Sequence, residues 1–336
     1  TIDPDSTPVM LADHRIVLTT ASGSLVIVDA LTGQLQWTGA ANGTLGTVGE
    51  LTIGDTPVLA SYTDDEALLW PLDDPDTPSA QTLTVEVGPA EALITSAPAP
   101  LWILEPQTVT YLAGNALALV DVPVPAISAG THHGAVVAVD AGSWVSITAD
   151  NAAKRHSLEG APTDAEPLQG RVLGPEHLAV LWGTQNAATL TLHELPEGAL
   201  IGQLDELDGP DQNDADEPRM SPDGTTWVWH NVFISPSADT PLTALNLTLP
   251  SAEDDPQQPL EVSSVSDAAL WGHLESSPAR YDITTREATF YDEGVTIPLG
   301  ESRDASLVYI VASRLEETSL YALPATPPAP SDGGDS

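Results

Sequence analysis

Short apolar strands recur along this chain at a spacing of about 42 residues, and that period limits the possible folds more than any other feature. Centred on the key apolar residue of each, the strands fall at Val17, Leu59, Trp102, Trp144, Trp182, Trp227, Trp271 and Tyr309. The separations are 42, 43, 42, 38, 45, 44 and 38 residues, and five consecutive centres are tryptophan. Between centres the chain reads as four short strands per unit, divided by Gly, Pro, Asp and Asn clusters. The first unit gives Pro8–Leu11, Ile16–Thr20, Leu25–Asp29 and Gln34–Thr38; the fourth and fifth run from Ala135 to Gln169 and from Arg171 to Leu204. No segment sustains a period of 3.6, so helix is expected to be nearly absent.

Eight four-stranded antiparallel units predict an all-β fold, an eight-bladed β-propeller. Each twisted sheet then buries both faces against its neighbours, and only short edges remain. Seven blades is the alternative if a 38-residue gap is misread. Trp102, Trp144, Trp182, Trp227 and Trp271 are expected in the second strand of successive sheets, filling the wedge between blades. One propeller domain is expected over residues 1–325, and 326–336, built of Pro, Ser, Gly and Asp, reads as a flexible tail. After Ser319–Leu323 nothing strand-like remains, so the residues before Pro8 are expected to close the last sheet, with Pro4 tolerable on an outer edge.

Charge narrows the partners. Asp and Glu number 49 against 9 Lys and Arg, the one lysine is Lys154, and the net charge is −40. Such a field repels phosphate backbones and anionic lipid surfaces, which disfavours nucleic acid as a partner. Cysteine is absent, which removes disulfides and thiolate chemistry. No run reaches the roughly 18 apolar residues of a membrane span. Thr1-Ile2-Asp3 lacks the basic start and apolar core of an export signal, so the chain reads as a mature segment. An upstream lipid or membrane anchor stays open.

Two sets of residues are candidate ligands. His230 and His273 follow their tryptophan centres by three and two residues, which predicts positions near the loops on one rim in units six and seven, available for binding. The acidic loop Asp205–Glu217 holds Asp211, Asn213, Asp216 and Glu217 and has the oxygen density of a Ca²⁺ site without the spacing of an EF-hand loop. A solvated loop is the competing reading. Neither a serine-nucleophile elbow nor a phosphate-binding loop occurs, and no catalytic residue is identified.

The run Gly23-Ser-Leu-Val-Ile-Val-Asp29-Ala-Leu-Thr-Gly33-Gln-Leu-Gln-Trp37 resembles the repeat of pyrroloquinoline-quinone-type β-propellers: Gly, an alternating apolar strand, Asp, Thr-Gly, then Trp. Gly33, Gly160 and Gly198 each lie 16 residues past a strand centre, and Tyr281-Asp282-Ile-Thr-Thr-Arg286 imitates Val28 to Gly33 with Arg in place of Gly. The resemblance implies fold more than activity, because it takes in quinone-dependent dehydrogenases and noncatalytic cell-envelope lipoproteins alike. The expected function is a noncatalytic extracytoplasmic scaffold, secreted or cell-envelope attached and bacterial, that holds a protein or glycan through one rim of loops. The alternative is a hydrolase or lyase with its site at the central channel mouth.

Overall fold

The computed structural model describes residues 2–3, 8–11, 14–41, 45–53, 55–73, 80–85, 90, 92–94, 100–105, 107–123, 127–184, 187–207, 217–247, 258–275, 277–291, 296–302, 304, 306–314 and 317–324. Among these residues every regular element is a β-strand, and none forms a helix long and apolar enough to cross a membrane. Eight antiparallel sheets follow one another in chain order, the blades of a β-propeller. The first runs Val9–Met10, Arg15–Thr19, Ser24–Asp29, Leu35–Ala40, each strand pairing with the next. The second to seventh repeat that meander, and a two-stranded ladder of Asn246–Leu247 with Gln258–Pro259 precedes the seventh.

Among the described residues the eighth sheet has three strands, Gly300–Glu301, Leu307–Arg314 and Glu317–Pro324. Ile2 stands beside the last of them, donating its backbone N–H to the Thr318 carbonyl at 3.0 Å, and also bridges Thr20 of the first sheet. The expected closure by the N-terminus therefore occurs, through one described residue at the fourth-strand position.

The chain falls into two compact units, Thr1–Ala41 with Met220–Asp223 and Leu245–Ser336, and Asn42–Arg219 with Gly224–Ala244. In the first, Ile16, Leu18 and Val26 pack with Ile2 and Tyr309 between the first and eighth sheets. In the second, period-2 alternation serves two neighbours at once. Along Ala135–Asp140, Val136 and Ala138 join a cluster with the third sheet, while Val137 and Val139 join one with the fifth. That double burial is why these strands are apolar throughout rather than alternating.

All five tryptophan centres are buried, from 0% exposure at Trp102 and Trp182 to 5% at Trp227 and Trp271. Four occupy second strands as expected, but Trp144 lies in the third strand of its sheet, Ser143–Ile147. The fourth sheet begins at Ile127–His132, not at Ala135, and ends at Ser157, so Gln169 belongs to the fifth. Ile127–His132 (Ile-Ser-Ala-Gly-Thr-His) has no apolar run to announce it, and its ladder carries a bulge between Ser128 and Gly130. The wedge between the third and fourth sheets is filled by Tyr111 instead, whose hydroxyl donates to the Gly134 carbonyl at 3.0 Å. Trp144 packs on the other side, in the cluster that also holds Trp182. Gly160 shifts with it and follows a fourth strand, whereas Gly33 and Gly198 turn from third to fourth.

Candidate functional site

His230 follows the strand Trp229 closes, in a turn with a left-handed backbone, φ 47°. Its Nε2 lies 2.8 Å from Gln169 Oε1 and its ring 4.7 Å from that of Trp229. On the same tryptophan sits the guanidinium of Arg171, 5.7 Å from the ring centroid and 5% exposed. Arg171 Nη1 donates to the Gly170 carbonyl at 2.8 Å, and its Nη2 is 3.5 Å from Glu217 Oε1. The structure thus gathers His230, Gln169, Trp229, Arg171 and Glu217 in the second unit. Glu217 faces a buried cation, which suits charge neutralisation in a dry setting. Asp211, Asn213 and Asp216 lie outside the described residues, and among the described residues no group of three His, Asp or Glu could hold a metal ion.

His273 is the second-last residue of the strand Ala269–Leu274, in register with Glu261 on one side and Pro278 on the other, so its backbone belongs to the ladder. It belongs to the first unit and His230 to the second.

A pair the sequence did not single out joins turns of the first unit. His14 Nε2 lies 3.1 Å from Asp267 Oδ2, and Asp267 Oδ1 accepts the Asp223 N–H at 3.1 Å. Ser221 Oγ donates to Asp223 Oδ1 at 2.6 Å. A carboxylate orienting an imidazole is half of a nucleophile-activating relay. The serine hydroxyl here is turned to a carboxylate and not to the imidazole, so these contacts tie turns together.

The strongest departure from ordinary burial lies where the first and eighth sheets meet. A groove of about 300 Å³ is lined by Ile2, Leu18, Val28, Gly33, Ser319 and Leu320, among others. Gly33 closes the turn Asp29–Gly33, with φ 68°, its N–H donating to the Asp29 carbonyl at 2.8 Å. Asp29 Oδ1 accepts the Thr32 N–H at 2.7 Å, and these bonds from Thr32 hold its carboxyl below the usual range. With the turn so fixed, Leu31 and Leu35 on either side of Gly33 are 63% and 61% exposed. On the opposing strand Tyr321 and Leu323 are 40% and 42% exposed. These four are among the seven large apolar side chains exposed in the described residues, and they lie in the chain segments around Gly33 and after Leu320 that line the groove. Burial, then the charges of Asp29 and Asp304, push the Tyr309 hydroxyl up.

No protein-family model matches the sequence, and no curated protein matches it. Several solved structures align at low identity. The computationally designed Ika8 protein does so at 14% identity over 95% of this chain and 96% of its own, with a TM-score of 0.48. BamB from Moraxella catarrhalis aligns at 12% over 90% and 92%, TM-score 0.43. A catalytically inactive virginiamycin B lyase from Staphylococcus aureus, solved with quinupristin, aligns at 11% over 95% and 94%, TM-score 0.40. At these scores the likenesses carry no argument, and the chemistry of the site rests on the residues above.

Proposed function

We propose that this chain is a noncatalytic binding propeller working outside the cytoplasm, and that it holds a protein partner through the seam between its first and eighth sheets. One observation carries the reading: Leu31, Leu35, Tyr321 and Leu323, each at least 40% exposed, lie in the two chain segments, around Gly33 and after Leu320, that line the groove. A chain of net charge −40 has no lack of polar surface, so a cluster of uncovered leucines marks an interaction site rather than ordinary surface. A protein suits it better than a glycan, because the exposed side chains are aliphatic with a single tyrosine. The quinone-type repeat serves here as scaffold, since its Asp29–Gly33 turn presents Leu31. The acidic, nearly lysine-free composition supports the extracytoplasmic placement.

Site-specific photo-cross-linking in producing cells tests this. A benzophenone side chain at Leu35 or Leu323 is expected to trap one discrete species, absent with the probe at exposed Lys154 and lost when Leu31→Asp and Tyr321→Lys are added. A uniform smear from all three probe positions, or a species indifferent to those two changes, overturns the reading. Recovery of the protein from the cytoplasmic fraction would remove its placement.

A further inference from the structure

We propose that the hairpin joining Ile127–His132 to Ala135–Asp140 is an acid-released latch, holding the fourth sheet to the fifth while His132 is neutral and letting go when mild acid charges it. The device lies in the second unit and is independent of the groove between the first and eighth sheets. His133 and Gly134 form a two-residue turn with φ of 46° and 74°, the left-handed pair that such a hairpin needs, so both imidazoles hang on a fixed backbone. His132 is 7% exposed, although His133 beside it stands in solvent. Its ring lies 4.2 Å from that of His133 and 6.2 Å from that of Trp144, nearly perpendicular to the indole. His156 stacks on the same indole at 4.0 Å. Between the two sheets lies one apolar cluster, with Ala129, Val137 and Trp144 from the fourth and Val172, Val180 and Trp182 from the fifth. Release of the hairpin opens that cluster.

A charge on His132 is opposed from several sides. Its Nε2 is buried and has no hydrogen-bond partner among the described residues, and the same holds for the buried Trp144 Nε1. Protonation at Nε2 adds a second donor where one already lacks an acceptor, and a buried donor left unmet is costly. The neighbouring charges add to this. His133 and His156 both oppose a charge on His132, and Lys154, two residues before His156 on the same edge strand, opposes one on His156. The Pro175 carbonyl and Glu176, in the turn of the fifth sheet that the hairpin meets, act the other way. Burial first, then His133, holds His132 below its ordinary 6.5. The closed hairpin therefore takes up a proton less readily than the open one, so closure is complete above 6.5 and weakens as pH falls below it.

The chain has no cysteine, so one introduced thiol reports on a single place. Val172→Cys, at a fully buried position between the two sheets, should react with a disulfide reagent at least about tenfold faster at about pH 5 than at about pH 7.5. Each rate is taken relative to an unstructured cysteine peptide at the same pH. Val232→Cys, equally buried in the sixth sheet, should show no such gain. Adding His132→Gln, whose side chain takes up no proton, should remove the gain. His133→Asn suits the left-handed turn but deletes one opposing charge, and should reduce it. His193→Gln should leave it in place. An equal gain at Val232 would mean general unfolding and overturn the latch. So would no gain at Val172, a gain that His132→Gln leaves intact, or one that His193→Gln abolishes. Should His132→Gln fail to fold, an undiminished gain in His133→Asn overturns the role of the imidazole cluster.

Discussion

Trp182 and Trp271 occupy the same place in their sheets, the second strand, and satisfy the same indole N–H in opposite ways. Trp182 donates to Thr191 Oγ1 at 2.7 Å, and that hydroxyl lies 2.8 Å from His193 Nε2. With its proton on Nδ1, facing the Gly198 carbonyl at 3.4 Å, His193 completes an uncharged relay of fully buried groups. Trp271 instead donates at 2.6 Å to Glu301, a carboxylate with no exposure at all. Arg280 grips the same carboxylate with Nε at 2.6 Å and Nη2 at 3.0 Å, and Tyr291 stacks on the indole at 5.3 Å. The bidentate bond to Glu301 is the largest of the effects that raise the Arg280 pKa. One sequence signal, an aromatic every blade, thus rests on a neutral chain in one sheet and an ion pair in another, and the two should fail differently.

The largest expected difference comes from removing one partner of each. Glu301→Ala strands the Trp271 N–H and takes from Arg280 its bidentate partner, leaving it Asp282 at 3.2 Å, and should cost about 3 kcal/mol, the low end of the loss when half of a buried pair is removed. Thr191→Val strands neutral groups only and should cost about 1 to 3 kcal/mol. Chemical denaturation of the two variants measures both. Equal losses would mean that the charge of Glu301 adds nothing beyond its hydrogen bonds.

Acid reverses the ranking, because the neutral chain depends on an imidazole staying uncharged. Burial pushes His193 down from 6.5 to about 4. The unfolded chain therefore binds a proton first as pH falls. The stabilisation is complete above about 6.5 and is lost progressively towards about 4, with a full span of about 3 kcal/mol. His193→Gln should flatten that part of the stability profile between pH 7 and 4.5. A wild-type profile that is already flat there would show that His193 charges without cost in the folded state.

How much of this was legible follows from which forces leave a trace in the chain. Buried strands must be apolar at nearly every position, so the blade period could be read from residues alone. That Ile2 stands beside the last strand could be read too, since residues 325–336 carry no apolar pattern. Trp144 misled because an aromatic marks burial without saying in which strand, and Tyr111 fills the wedge assigned to it. The exposure of Leu31 was not legible, because it sits in a turn that looks like any other. His14 and Asp267 are 253 residues apart, a distance across which no local pattern carries.

The smallest expected effect compares two turns instead of two tryptophans. Asp29–Gly33 and Asp282–Arg286 share two of the bonds that close them. Gly33 donates to the Asp29 carbonyl at 2.8 Å and Arg286 to the Asp282 carbonyl at 2.9 Å, and each Asp Oδ1 accepts a threonine N–H, at 2.7 Å from Thr32 and 2.9 Å from Thr285. The residues at the fifth position have φ of 68° and 59°, the left-handed region, where a Cβ is strained and glycine is not. Arg286→Gly should therefore stabilise by roughly 0.5 to 1 kcal/mol, after the added freedom of glycine in the unfolded chain is subtracted, and Gly33→Arg should destabilise by a similar amount. Nothing lies within 4 Å of a Cβ added at Gly33, so that penalty is purely conformational and the two changes should nearly mirror each other. An Arg286→Gly protein that is less stable than its parent would mean that the arginine side chain makes a contact worth more than the backbone strain, and the likeness of the two turns would stop at the backbone.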